Sequence, residues 1–150
     1  MDTIFIKTHK LNTQYANPHF FVLNKGQNSG KPQNEPFTNS FVLVFQTEEQ
    51  KENVYWIAMS LWKSKFWHQH LKGSVIPFIS IYEFKNEFNP KVTRVMREHE
   101  QHLKNVQALK LLQEKENNFN KNIHLINKNI KTEHRTFLSR TDESKLSNYI

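Results

Sequence analysis

The 150-residue sequence contains no cysteine, so neither a disulfide framework nor a thiolate metal site is available to it. No stretch reaches the roughly 18 consecutive apolar residues that a transmembrane helix requires, and the N-terminus lacks a basic segment followed by an apolar run. These absences predict a soluble, cytoplasmic protein. Helix-breaking residues are absent after Pro90, since all three glycines and all five prolines lie at or before it. All three tryptophans lie before it as well. Residues 91–150 therefore suit an uninterrupted helix.

Positive charge exceeds negative charge, with a formal net charge of +7 and a sequence pI near 9.6. Most of the excess lies in residues 91–150. This balance favours an anionic partner, either a polyanion such as RNA or an acidic protein surface. The alternative is that the charge serves only to keep the chain in solution.

Before Pro90, short apolar and aromatic runs alternate with turn-forming residues, which is typical of strands. The predicted strands are residues 3–8, 19–23, 41–45 and 75–79. Thr47 has Gln50 three positions later, which predicts the N-cap of an aromatic-rich helix that ends before Gly73. Ser80 begins a second capping pattern, which predicts a short helix over residues 82–88.

Asn89 and Pro90 have the composition of a helix start, with asparagine as N-cap and proline in the first turn. Beyond them, apolar residues from Val92 to Phe137 recur in steps of three, four or seven, which places them on one face of a helix. The stripe predicts either one long helix or a helical hairpin. We favour a hairpin, because helices longer than about 25 residues are uncommon outside coiled coils, and we place its turn at residues 116–118, where asparagine competes for backbone hydrogen bonds.

Together these patterns predict an α+β fold, in which a small sheet of about four strands packs on the aromatic-rich helix and is followed by a long helix or helical hairpin. The predicted organisation is a compact domain at residues 1–90, an amphipathic basic helical arm at residues 91–138 and a frayed C-terminus at residues 139–150.

Basic residues of the arm form the first candidate binding surface. At about 100° per residue, one sector of a continuous helix, opposite the start of the apolar stripe, contains Arg94, Arg97, Lys104 and Lys115. This sector could bind phosphates or an acidic protein groove, and each phosphate contact would make the affinity fall with salt. The alternative is a solvated helix face.

The glycine-containing loop at residues 24–32 is the second candidate. It resembles a phosphate-binding loop, but only three residues separate Gly26 from Gly30 and Pro32 follows the lysine, so we do not expect nucleotide hydrolysis. Lys25 and Lys31 flank backbone N–H groups that could cradle a phosphate. The alternative is an ordinary flexible turn.

No catalytic or metal-binding motif is evident. His99 and His102 are three residues apart, whereas the zinc-binding helix of metalloproteases needs a spacing of four. No compact acidic cluster of the kind that holds Mg²⁺ in nucleases is apparent. We expect a protein without catalytic residues, metal or cofactor, with His99 half-buried in the apolar stripe and His102 solvated.

Four stretches before residue 88 carry a resemblance: residues 7–9, 17–26, 28–32 and 73–79, which read KTH, NPHFFVLNKG, NSGKP and GSVIPFI. They are similar to a small uncharacterised family of proteins from bacterial mobile elements and phages, with no established catalytic residues. In its general character, basic, cysteine-free and helical at its end, the chain also resembles phage anti-CRISPR proteins acting on a type VI-B RNA-guided RNA nuclease. That resemblance implies a partner, the RNA-guided nuclease effector protein and its guide RNA, and inhibition in the cytoplasm of the infected bacterium without catalysis.

Two other classes of function remain open from the residues. A basic RNA- or DNA-binding accessory protein would bind naked nucleic acid. A helical oligomerisation module would use the apolar stripe as a coiled-coil seam.

Overall fold

The computed structural model describes residues 4–147, with side chains for residues 4–143. Thr3 of the predicted first strand and residues 148–150 of the predicted frayed end lie outside this range. The chain divides into two compact units, Met1–Val106 and Gln107–Ile150, which we call the first and second units. The predicted domain boundaries at residues 90 and 138 stay predictions.

A four-stranded antiparallel sheet lies in the first unit. Its strands are β1 (Phe5–Thr8), β2 (His19–Leu23), β3 (Pro32–Gln33) and β4 (Ser40–Val44), in the order β1-β4-β2-β3. The two central strands consist mainly of apolar residues, and Phe20 pairs with Leu43 at the centre of the sheet, where both are fully buried. The predicted small sheet of four strands is confirmed, and so is the α+β class.

One predicted strand is wrong. The fourth strand of the sheet is the two-residue β3, and residues 75–79 form no strand. Lys72 and Phe78 pair with each other instead, so the segment closes on itself as a loop. Pro77 has no backbone N–H to donate to a ladder, which disfavours an extended strand at this point.

Helix α1 (Glu48–Lys63) begins where its cap predicts. The Thr47 side chain accepts a hydrogen bond from the Gln50 N–H at 3.1 Å, and the Gln50 side chain accepts one in return from the Gln46 N–H, also at 3.1 Å. Its predicted end before Gly73 is wrong, because Lys65 adopts a left-handed conformation at φ 59° and a separate 3-10 helix, Phe66–His70, follows.

Helix α2 (Ile81–Arg97) begins at the predicted Ser80 cap, whose hydroxyl accepts from the Glu83 N–H at 3.2 Å. The helix start predicted at Asn89 and Pro90 is wrong, since Pro90 lies inside α2. Phe84, Phe88 and Val92 recur every four residues and are all buried, so one packed face continues across the proline. Packing of that face compensates for the one backbone hydrogen bond that proline cannot make.

Helix α3 (His99–Ser147) is a single helix after a break at Glu98. The predicted hairpin at residues 116–118 is wrong, because the helix continues through them. There the Gln113 side chain donates to the carboxylate of Glu116 at 2.6 Å, and its amide also lies 3.4 Å from the Asn117 side-chain oxygen. These side chains bond to each other along the helix and leave the backbone bonds intact. The helix also extends past residue 139, where fraying was predicted to begin.

The core of the first unit is aromatic. Trp67 of the 3-10 helix stacks on Phe84 of α2 with centroids 4.9 Å apart, and Phe84 stacks on Phe88 at the same distance. All three are almost completely buried between the sheet and the helices. Within residues 4–147, no helix combines the length and the apolar character needed to cross a membrane.

Candidate binding surfaces

A loop with apolar side chains projects from the first unit, and we call residues 72–78 the apolar loop. Its ends are joined by two backbone hydrogen bonds, from the Lys72 N–H to the Phe78 carbonyl at 2.9 Å and from the Phe78 N–H to the Lys72 carbonyl at 2.8 Å. Gly73 has φ +94°, and a Cβ at this position would lie 2.7 Å from the Ile76 carbonyl oxygen. The turn therefore requires glycine both for its backbone angle and for its lack of a side chain.

The apolar loop is anchored to the neighbouring 24–32 loop. The Gly26 N–H donates to the Pro77 carbonyl at 2.7 Å, and the Ile79 N–H donates to the Asn24 carbonyl at 2.9 Å. Ile79 is buried in the core. Main-chain bonds thus hold the base of the apolar loop on both sides.

The tip of the apolar loop faces solvent. Val75 is 89% exposed, Ile76 is 53% exposed, and Tyr82 in the first turn of α2 is 73% exposed. Exposed apolar side chains on a loop that is fixed by its backbone are typical of a docking site, because little conformational entropy is lost on binding. Sequence reasoning missed this site by assigning these residues to a strand. The flanking Gly73 and Pro77 were the available signal for a turn.

The 24–32 loop is ordered by its own backbone. The N–H groups of Gly26, Ser29, Gly30 and Lys31 all donate to protein carbonyls at 2.7–3.1 Å, so these four donors are engaged within the protein. Gly30 packs against Trp67, since a Cβ there would lie 2.1 Å from the ring. The loop is therefore a fixed support for the core and for the apolar loop.

The structure separates the two lysines predicted in the 24–32 loop. Lys25 is exposed and pairs through its backbone with Phe78, at the base of the apolar loop. Lys31 is half-buried, with its Nζ 5.1 Å from the centroid of the Trp62 ring. A phosphate site at either lysine stays a prediction, and it would have to use donors other than the four engaged N–H groups.

The four predicted basic residues of the arm lie on two helices. Arg94 and Arg97 are exposed in the last turns of α2, where positive charge is favourable at the helix C-terminus, and Lys104 and Lys115 are exposed on α3. Because the break at Glu98 ends α2, the premise that one continuous helical face presents all four is wrong. Their role in binding stays a prediction.

An ion-pair cluster links the 3-10 helix to α2. The His70 Nδ1 lies 3.0 Å from the Glu83 carboxylate, the His70 Nε2 lies 3.8 Å from the Glu87 carboxylate, and the Lys72 Nζ lies 3.7 Å from Glu83. The hydrogen bond to His70 holds the pKa of Glu83 below its ordinary value, although desolvation acts in the opposite direction. The cluster thus fixes the start of the apolar loop to α2.

The same cluster includes the group of described residues that could hold a metal ion. One ligand atom from each of His70, Glu83 and Glu87 lies within 4.8 Å of the others. The spacing of the two glutamates presents both carboxylates on one face of α2, where they already face His70. Glu83 already has two partners in this cluster, a hydrogen bond with His70 and an ion pair with Lys72, and we assign no metal to it.

The predicted environments of two histidines are reversed. His102 is buried in the first unit, and its Nε2 donates to the Asn53 backbone carbonyl of α1 at 3.2 Å, whereas His99 is exposed. The break at Glu98 shifts the phase of the helix, so the stripe that begins at Val92 does not continue through His99. Burial lowers the pKa of His102, the hydrogen bond to the Asn53 carbonyl acts in the opposite direction, and the nearby His99 adds to the effect of burial.

A second apolar surface lies within the second unit, where α3 displays large side chains to solvent. We call its residues Leu112, Phe119, Ile123, Ile126, Ile130 and Phe137 the α3 apolar face, and each is between 49% and 67% exposed. Ile126, Ile130 and Phe137 line a shallow groove together with the polar residues Asn129, Glu133 and His134. Such an exposed row is unusual for a chain that acts alone.

Comparison with known proteins places the chain in a family. No curated protein and no solved structure matches it. The sequence model of DUF6943, a family of unknown function, matches residues 6–135. The matched region contains the whole sheet from Ile6 onward, the apolar loop and most of α3. Because the match covers well over half of the chain, the protein belongs to the DUF6943 family of unknown function.

Proposed function

We propose that the protein is a non-catalytic binding protein that docks on another protein through the apolar loop. The observation that carries this proposal is the exposure of Val75 and Ile76 at the tip of a loop closed by two main-chain hydrogen bonds. A loop that only connected two helices would gain nothing from presenting these side chains to water.

The energetics of the apolar loop favour protein as the partner. Full burial of a valine or isoleucine side chain contributes about 1.5–3 kcal/mol, so docking the tip into an apolar pocket would change the affinity by orders of magnitude. The backbone is already fixed, which reduces the entropy cost of association. Nucleic acid would instead select basic side chains and aromatic rings with open faces.

Charge around the apolar loop complements an acidic or nucleic-acid-associated partner. Lys25 is exposed beside Phe78 at the base of the loop, and Lys72, which begins the loop and pairs with Glu83, is still 57% exposed. The net charge of +7 would steer the protein toward a negatively charged assembly. A ribonucleoprotein offers both an apolar protein pocket and a surrounding negative potential.

The partner that we propose is an RNA-guided RNA nuclease of type VI-B, which the protein would inhibit in the cytoplasm of a bacterium that carries a phage or mobile element. Support for this class comes from the resemblance of residues 7–9, 17–26, 28–32 and 73–79 to mobile-element and phage proteins and from the basic character of the chain. The last of these stretches forms almost all of the apolar loop. Inhibition would follow from interference with guide or target RNA, without chemistry on either.

The test is binding to the purified nuclease with and without guide RNA, measured by titration calorimetry. We expect the double variant Val75→Ser/Ile76→Ser to bind at least about tenfold more weakly, because the apolar contact is lost. The matched control is Leu11→Ser, which changes another side chain of the first unit that is 66% exposed. Control and wild type should bind alike.

Three outcomes would overturn the proposal. One is that the nuclease does not bind the wild-type protein at all, and another is that the double variant binds with wild-type affinity. The third is binding to naked RNA with a steep salt dependence and no affinity for the RNA-free nuclease, which would identify an RNA-binding accessory protein instead.

A further inference from the structure

We propose that the second unit is a self-association element, in which the α3 apolar face pairs with the same face of a second copy in an antiparallel coiled coil. Self-association involves only copies of this chain, so it does not depend on the partner proposed for the apolar loop.

The α3 apolar face has the spacing of a coiled-coil seam. With Ile123 as position a of a heptad, the a and d positions from residue 109 to residue 140 are, in order, Leu109, Leu112, Glu116, Phe119, Ile123, Ile126, Ile130, Glu133, Phe137 and Arg140. Seven of these ten residues are apolar, and the seam extends over more than four heptads, which is long enough to specify a coiled coil. At 1.5 Å per residue it is about 47 Å long.

For α3 to be stable, another apolar surface has to pack against this seam. Most helix stability in water comes from packing of an apolar face, and propensity alone leaves exposed helices marginal. The second unit shows no such packing among its described residues, since all six members of the α3 apolar face are about half exposed or more. A helix of this length with an open seam therefore implies a partner.

The residues beside the seam favour a second copy as that partner. Around its centre, the flanking e and g positions are all asparagine: Asn120, Asn122, Asn127 and Asn129. The lysines of this stretch, Lys121 and Lys128, lie at position f on the opposite side of the helix. When two copies pair, these uncharged flanks cause no like-charge repulsion. They also offer no charges that would make the helix of a different protein bind specifically.

The polar residues within the seam determine the orientation. In a parallel pair Glu116, Glu133 and Arg140 would each face their own counterpart, which produces three like-charge layers.

An antiparallel pair can be centred on residue 128, so that the two copies of this residue lie at the same height along the axis. This register places Glu116 opposite the partner's Arg140, and Lys115 near the partner's Glu143. The same register stacks Ile126 on the partner's Ile130 and Phe119 on the partner's Phe137.

Other antiparallel registers lose this complementarity. Moving the pairing by one heptad in one direction places Glu116 opposite the partner's Glu133, and moving it by one heptad in the other direction places Arg140 opposite the partner's Ile123. In the register centred on residue 128, one unfavourable pairing remains, in which Glu133 faces the partner's Ile123, and the two-fold symmetry repeats it in two layers. Charge pairing thus selects one arrangement, and this pairing is its weakest point.

The first test is the mass of the full-length protein in solution, measured by sedimentation equilibrium from nanomolar to high micromolar concentration. We expect a dimer for the wild type and a dissociation constant raised at least about a hundredfold by Ile126→Asp, because the charge would be buried in two layers of the seam. The matched control is Leu125→Asp, one residue away, since Leu125 is 54% exposed, compared with 56% for Ile126, but lies off the seam. It should remain a dimer.

The second test determines orientation and uses the absence of native cysteine. In the proposed register the two copies of residue 129 lie about 3 Å apart along the axis, and the two copies of residue 112 lie about 48 Å apart. A short thiol cross-linker should therefore join Asn129→Cys chains and leave Leu112→Cys chains unjoined. A parallel pair would give the reverse result, because identical d positions then face each other.

The outcomes separate this inference from the proposed function. A monomer at every concentration, or equal dimerisation of the wild type and Ile126→Asp, would overturn self-association whatever the nuclease titration shows. Cross-linking at residue 112 without cross-linking at residue 129 would overturn the antiparallel register. If the nuclease does not bind, the sedimentation and cross-linking results would be unaffected.

Discussion

The two units of this protein treat apolar side chains in opposite ways. The first buries its aromatic residues, with Trp67, Phe84 and Phe88 enclosed between sheet and helices, and exposes apolar side chains mainly at a few loops. The second exposes them along a whole helix. The hydrophobic effect acts on both units, and the first unit buries its apolar residues internally, whereas the second would bury them only through the self-association that we propose. Stability of the first should thus be independent of concentration, and stability of the second should depend on it.

The largest expected effect comes from disrupting the core of the first unit. Trp67→Ala would remove a fully buried ring and leave a cavity beside Phe84 and Gly30, so we expect the free energy of unfolding to fall by about 3–5 kcal/mol. Urea denaturation followed by tryptophan fluorescence measures this, since Trp56 and Trp62 remain as probes. Dimerisation through α3 should persist under conditions in which the first unit unfolds, and its loss would show that the units are not separate.

A substitution in the second unit should instead strengthen its self-association. Glu133→Leu would replace the charged residue of the weakest seam pairing with an apolar one, so we expect the dimer dissociation constant to fall about tenfold, which is about 1.4 kcal/mol. Sedimentation equilibrium provides the measurement. The urea midpoint of the first unit should be the same as in the wild type. Weaker association in this variant would contradict the proposed register.

The smallest effect concerns pH and acts on the first unit alone. His102 is neutral when folded because burial lowers its pKa, so the unfolded chain binds a proton more readily than the folded one below its ordinary pKa, about 6.5. Stability should therefore be constant above about pH 7 and decrease as the pH falls below 6.5 toward the folded pKa. Thermal melts across this range measure the decrease.

A His102→Gln variant is the control for that prediction, because its amide can still donate to the Asn53 carbonyl but does not titrate. The decrease between pH 6.5 and the folded pKa should be reduced in the variant. An unchanged pH profile would show that another group is responsible. Glu83 does not act in this window, since its lowered pKa costs stability only below its ordinary value of 4.5.

The sequence predicts correctly those features that depend on interactions between residues close together in the chain. Thr47 and Ser80 were identified as N-caps because the cap and its target lie three residues apart. The short apolar runs at β2 and β4 likewise predicted central strands. The α+β class followed from these elements.

Other errors arose where packing or a break in a helix overrides local preference. Pro90 reads as a helix start, yet buried Phe84, Phe88 and Val92 hold α2 together across it. The phase of His99 and His102 depends on a break at Glu98 that no glycine or proline marks. The apolar loop was read as a strand, because its hydrogen bonds to the 24–32 loop involve residues about fifty positions away.

Main-chain bonds, rather than the side chains at its tip, close the apolar loop. Gly73 is needed for the turn, but Val75 and Ile76 contribute little to the fold, since most of their surface lies in water. Substitutions at these two positions should therefore change the surface of the apolar loop without weakening the scaffold beneath them. Under the proposed docking function, a new specificity would need only a different tip, which an engineer could graft onto the same architecture.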